Sequence, residues 1–124
     1  MNIIDSSLWI EFLAGTLLDP KILSVIRNKD ELCVPVICLY EVRRKFLNDN
    51  DSSKADLSVS IMKNGKIINV DSAIAVLASD VGKRHRLPMA DSIIYATALT
   101  YNADIYTQDS HFDGLERVRY FAKI

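Results

Sequence analysis

Short runs of consecutive apolar residues alternate along this chain with longer stretches in which apolar residues recur every three or four positions. The first kind suits strands buried on both faces, and the second suits amphipathic helices. "NIID" at 2–5 predicts a strand, and "SSLWIEFLAG" a helix with Leu8, Phe12 and Leu13 at helical spacing and Gly15 to stop it. Asp19 and Pro20 open a second helix, as N-cap and first helical residue, with Ile22, Leu23 and Ile26 on its buried side. "ELCVP" predicts the next strand, and "VICLYEVRRKFLND" a helix whose Ile37, Tyr40, Arg44 and Leu47 share a face. The polar run "NDNDSS" is a surface turn leading to a weaker helix over 54–64 that ends at Gly65.

"KIINV" predicts a third strand, and Asp71 caps the helix "SAIAVLASDVGKRHR", in which Ile74, Leu77 and Val81 share a face. Pro88 starts another helix that runs to about Asn102. "ADIYT" is a fourth strand, and "RVRYF" adds a fifth after a turn at Asp113 and Gly114. Strands and helices in alternation predict an α/β fold: a largely parallel sheet of four to five strands sandwiched by helices. The 124 residues suffice for one such domain, 1–124, and leave no length for a second. In parallel sheets the ligand crevice lies beyond the carboxyl ends of the strands, so residues at strand ends are the ones to inspect.

Composition changes this picture little. The chain is 49% hydrophobic and 25% charged, as an ordinary globular protein is, and its formal net charge of −1 does not announce a nucleic-acid binder. Net charge hides patches, however: Arg43, Arg44 and Lys45 form one basic cluster, and Lys83, Arg84, His85 and Arg86 another. Each is either a solvated helix face or a phosphate contact. Cys33 and Cys38 lack metal spacing, and their apolar neighbours favour buried free thiols in a reducing cytoplasm. No apolar stretch approaches the roughly 20 residues that span a bilayer, so neither membrane insertion nor secretion is expected.

Four acids stand where chemistry is expected. Asp5 ends the first strand and Asp109 follows the fourth, so both belong to the carboxyl rim; a helix cap explains the first and an Asx turn the second equally well. Asp91 falls in the first turn of a helix, where the dipole welcomes an acid, yet Met89, Ala90, Ile93, Ile94 and Ala96 surround it with apolar groups. Glu41 is explained by an ion pair with Lys45 one turn on, or by reaching the crevice from the helix after the second strand. Should all four meet, their repulsion would force protons onto some of them unless a divalent cation bound. Oxygen-only donors with no His or Cys nearby suit Mg²⁺, or Mn²⁺, and such sites hydrolyse phosphodiesters.

The phrases "IIDSSLWIEF", "VPVICLYEV", "MADSIIYATAL" and "ADIYTQDSHF", in this order and spanning nearly the whole chain, resemble those of PIN-domain ribonucleases, and in size and wording the VapC-type toxins of toxin-antitoxin pairs. The resemblance implies that Asp5, Glu41, Asp91 and Asp109 form an acidic catalytic site, with Asp5, Asp91 and Asp109 as metal ligands. It implies that Thr107, and Ser6 likewise, orient a ligand or water through a hydroxyl. It further implies a Mg²⁺-dependent endoribonuclease acting on RNA, tRNA or rRNA, with Arg43, Arg44, Lys83, Arg84 and Arg86 on the phosphates. A VapB-type antitoxin filling a groove at Trp9 and Phe12, a homodimer and a cytoplasmic location complete the expectation. The chain departs from the family in the basic stretch before Asp91 and in His111 and Asp113, which crowd Asp109. His111 reads first as a turn residue, Asp113 as sharing or replacing the role of Asp109, and Asp104 as lying at the wrong end of its strand.

Two other classes compete. An aspartyl-nucleophile phosphatase also places an Asp after its first strand but wants an acid two positions on, where this chain has Ser7. A phospho-receiver would use Asp71 with a strand-end lysine, and Thr107 and Gln108 stand there instead. A non-catalytic binding module on the same fold remains as the alternative, and the complete set of acids speaks against it.

Overall fold

The computed structural model describes residues 1–123, and over these the chain forms five strands and six α-helices. In chain order they are β1 (Asn2–Ile4), α1 (Ser6–Ala14), α2 (Pro20–Arg27), β2 (Leu32–Pro35), α3 (Val36–Asn48), α4 (Ser52–Met62), β3 (Lys66–Ile68), α5 (Ser72–His85), α6 (Met89–Tyr101), β4 (Asp104–Thr107) and β5 (Val118–Tyr120). Single 3₁₀ turns at Lys29–Glu31 and Ser110–Phe112 precede β2 and β5. Local chemistry sets many boundaries: Asp19, Asp51 and Asp71 each accept an amide of the helix they begin, and Gly15 ends α1 at φ 80°.

The strands pair in the order β3-β2-β1-β4-β5, every pair parallel. The central β1 is flanked on both sides, and its Ile3 and Ile4 are fully buried. From β1 the chain winds outward through β2 to β3, then returns by α5 and α6 to place β4 on the other side of β1. The connections therefore switch direction between β1 and β4, which opens a crevice at their carboxyl ends. Among the described residues no helix is long and apolar enough to cross a membrane.

Packing decides which faces of two helices are buried. In α3 the buried stripe is Cys38, Val42 and Phe46, whereas Tyr40 is 58% and Leu47 38% exposed and Arg44 lies in solvent. Trp9, expected with Phe12 at a surface groove, is 1% exposed and lies on the buried side of α1 with Leu8, so it lines only the floor of a cleft there. At α1 the more apolar edge turns to the sheet, and an indole offers more area to bury there than any neighbour. Cys33 and Cys38 are buried free thiols, as expected.

Candidate metal centre

Asp5 leaves β1 with its amide donating to the Tyr106 carbonyl of β4 (2.9 Å), which fixes the residue at the mouth of the crevice. Its carboxylate makes no capping bond to α1, unlike those of the three capping aspartates. Instead Oδ2 accepts the Thr107 hydroxyl at 2.7 Å and the Ser7 hydroxyl at 3.0 Å. Thr107 Oγ1 in turn accepts the Asp109 amide at 2.9 Å, so one wholly buried hydroxyl ties the ends of β1 and β4 together.

Glu41 reaches the rim from α3 and accepts the Ser6 hydroxyl on Oε1 at 2.8 Å. Lys45 pairs with Asp49 (3.1 Å), so the simple ion pair with Glu41 is not formed. Asp91, third residue of α6, is buried. Asp109 does both things expected of it: Oδ1 accepts the His111 amide at 2.9 Å, closing an Asx turn, and the carboxylate faces Asp91. His111 is a turn residue by its backbone, but its Nδ1 lies 3.0 Å from Asp109 Oδ1 and 3.2 Å from Asp91 Oδ2. Asp113 is exposed, and Asp104 sits at the opposite end of β4 against Arg117 and Arg119.

The electrostatics record this crowding. Burial, reinforced by Asp109 and Asp5 and opposed by His111, raises the Asp91 carboxyl to about 7. Burial also raises Asp5, against the pull of the Thr107 and Ser7 hydroxyls, and Glu41, against that of Ser6. Cys38, wholly buried in α3 near the same acids, has its thiol pushed well up by burial and then by Asp5. Several carboxylates that each raise the next make a place where a cation is favoured. One ligand atom each from Asp91, Asp109 and His111 already falls within 4.8 Å of the others, a spacing that fits a single ion. The donor set is not oxygen-only, because the turn after Asp109 folds an imidazole back onto it.

A family model of the PIN domain matches residues 3–118. The chain belongs to the PIN domain family. Among curated proteins none matches it. A toxin-antitoxin complex from Klebsiella pneumoniae has a chain of the same fold, with a TM-score of 0.80 at 18% identity, covering 99% of this chain and 100% of that one. DNA-bound VapBC from Salmonella typhimurium superposes with a TM-score of 0.78 at 13% identity over 98% of each chain. VapC20 of Mycobacterium tuberculosis, a sarcin-ricin-loop-cleaving toxin, does so with a TM-score of 0.74 at 16% identity over 96% of this chain and 99% of that one. At such identities these likenesses establish the fold of this PIN domain.

The basic residues of this PIN domain fall into two groups. Arg43 pairs with Asp56 of α4 (3.2 Å), and Arg44 donates to the Tyr40 hydroxyl and to Asn48, both in solvent. Lys83 and Arg84 occupy the last turn of α5 and Arg86 its left-handed cap, and three residues later α6 begins and carries Asp91 inward. Lys45, the last member of the first basic cluster, lines with Lys123 a groove that includes Ser7, Gln108 and Asp109. Trp9 and Phe12 pack edge to face (6.0 Å) beside a cleft that Ile26, Arg27, Ile61 and Asn64 also line. The Trp9 indole N–H is buried without a hydrogen-bond partner among the described residues.

Proposed function

We propose that this PIN domain is a divalent-metal-dependent endoribonuclease, the toxin of a type II toxin-antitoxin pair, hydrolysing phosphodiester bonds in tRNA or rRNA in the cytoplasm. What supports it is the group of Asp91, Asp109 and His111, with ligand atoms within 4.8 Å of one another at the carboxyl rim, and the nearby Asp5 and Glu41, which add to burial in raising the Asp91 carboxyl and so favour a cation there. Asp5, Asp91 and Asp109 would hold Mg²⁺, with Mn²⁺ as substitute. Once bound, the metal activates water and offsets the charge that builds on the phosphate. Thr107 orients the Asp5 carboxylate, and Ser6 holds Glu41 by Oε1, leaving a carboxyl of raised proton affinity to take a proton from the attacking water.

Lys83, Arg84 and Arg86 serve as phosphate contacts beside the Asp91 helix, and Arg43 and Arg44 as a more distant set, with their present partners exchanged for RNA. The antitoxin is of VapB type, a reading supported by the complexes whose chains share this fold. Its segment lies on the cleft at Trp9 and Phe12, with Phe12 as the accessible edge and Trp9 as the floor. A homodimer formed through α5 and α6 would cover Val76 of α5 and Met89 of α6, which are 64% and 76% exposed.

The test is incubation of the purified protein with total RNA, with Mg²⁺ and with EDTA. Cleavage that needs Mg²⁺, and that Asp5→Asn and Asp91→Asn both abolish while the fold is retained, is the expected result. Cleavage unaffected by EDTA overturns the metal assignment. RNA binding without cleavage under any metal overturns the enzyme assignment in favour of a binding module.

A further inference from the structure

We propose that His111 is a direct nitrogen ligand of the cation held by this PIN domain, through Nδ1, and that it moves metal preference from Mg²⁺ toward first-row transition ions such as Mn²⁺. The inference rests on the metal-site reading above and adds a ligand to it.

The ring is held in place from both sides. Asp109 Oδ1 accepts the His111 amide at 2.9 Å, Thr107 anchors the Asp109 amide, and the next residue, Phe112, is fully buried. A three-residue turn with its first end tied to the β4 terminus and its last side chain in the core leaves the middle side chain little choice but to return over the acids. Its Nδ1 then stands 3.0 Å from Asp109 Oδ1 and 3.2 Å from Asp91 Oδ2. Ligands at adjacent corners of an octahedron with metal–donor distances of about 2.1 Å lie about 3.0 Å apart, so Nδ1 already stands at the spacing of one coordination shell from each carboxylate, and the group as a whole falls within 4.8 Å. A neutral imidazole with its proton on Nε2 turns the Nδ1 lone pair toward such an ion. Hydrogen bonding accounts for the same distances less well, because a single Nδ1–H would have to serve two carboxylates at once. Imidazole nitrogen is a poor partner for Mg²⁺ and a good one for transition ions, which gives the change of preference.

The two roles differ in sign. Were His111 only a cationic partner of Asp91 and Asp109, its removal would leave the site more negative, and every divalent cation would bind more tightly. As a ligand, its removal weakens Mn²⁺ on the order of ten-fold and Mg²⁺ much less.

The experiment uses the whole protein loaded with Mn²⁺, in a buffer free of nitrogen donors, and reads ¹⁴N modulation of the Mn²⁺ spin echo together with calorimetric titrations of Mn²⁺ and Mg²⁺. Wild type and His85→Gln, which alters the other histidine, are expected to show a directly bound imidazole nitrogen. His111→Ala is expected to lose it and to bind Mn²⁺ more weakly. The turn survives this substitution because the Asp109 carboxylate uses the backbone amide, and thermal melting verifies the fold. Bound Mn²⁺ without nitrogen coupling in wild type, or tighter binding of both ions in His111→Ala, overturns the inference and leaves the metal site standing. Absence of Mn²⁺ binding in wild type overturns the site reading and the inference with it.

Discussion

Thr107 carries more of the site than its size suggests. Its hydroxyl donates to Asp5 and accepts from the Asp109 amide, so a Thr107→Val chain keeps the shape while leaving a buried carboxylate and an amide each short of a partner. A loss of about 1–3 kcal/mol in denaturant unfolding and of about 10–100-fold in RNA cleavage is expected, with Thr107→Ser close to wild type in both. Asp91 governs the pH response. Its carboxyl, raised from 3.8 to about 7, favours the protonated form in the fold. That contribution to metal-free stability is fully present below about pH 4 and is lost as pH rises through about 7. Melting of wild type against Asp91→Asn in EDTA should show a steeper downward slope in the wild type, the remainder in the variant coming from Asp5 and Glu41, and excess Mg²⁺ should flatten it. Of the residues concerned, Asp5, Asp91 and Asp109 were legible because strand ends and helix starts are local signals. The His111 ring and the burial of Trp9 were not, because each depends on where a short turn or a helix face lands after packing.

Elements position the site by how closely they pack. Helices α5 and α6 approach at Gly82, where any Cβ would overlap the Ser92 hydroxyl, next to Asp91 in sequence. Gly82→Ala is expected to cost about 1–3 kcal/mol of stability and to lower cleavage by shifting the first turn of α6, and a second change, Ser92→Ala, should recover part of both. Unfolding curves and cleavage rates of the single and double variants measure this. Element boundaries could be read from the chain because Pro20, Pro88, Asp71 and Gly15 act on their own neighbours. The buried face of α3 could not: Ile37, Cys38, Leu39 and Val42 make apolar residues available on several sides, and packing against α1 and α4 selects Cys38, Val42 and Phe46.

At the scale of the molecule, the site exists only because the chain returns across its own first strand. Asp5 and Thr107 lie 102 positions apart, and nothing local brings them to 2.7 Å; the β3-β2-β1-β4-β5 order does. Recurring apolar strands and helices made the α/β class readable, and the strand-end rule pointed to the carboxyl rim, but the position of the switch between β1 and β4 had to come from the folded sheet. An ion held by a site assembled this way would bind only the native state and would therefore stabilise the whole fold. The decisive measurement is the thermal midpoint at pH 7.5 with and without saturating Mg²⁺, in wild type and in Asp5→Asn. A hundred-fold excess over Kd is worth about 2.7 kcal/mol, a rise on the order of 10 °C for a domain of this size. That rise in the wild type, absent from the variant, is the expected result; an unmoved wild-type midpoint, or an equal rise in both proteins, would contradict the convergence of these acids on one cation.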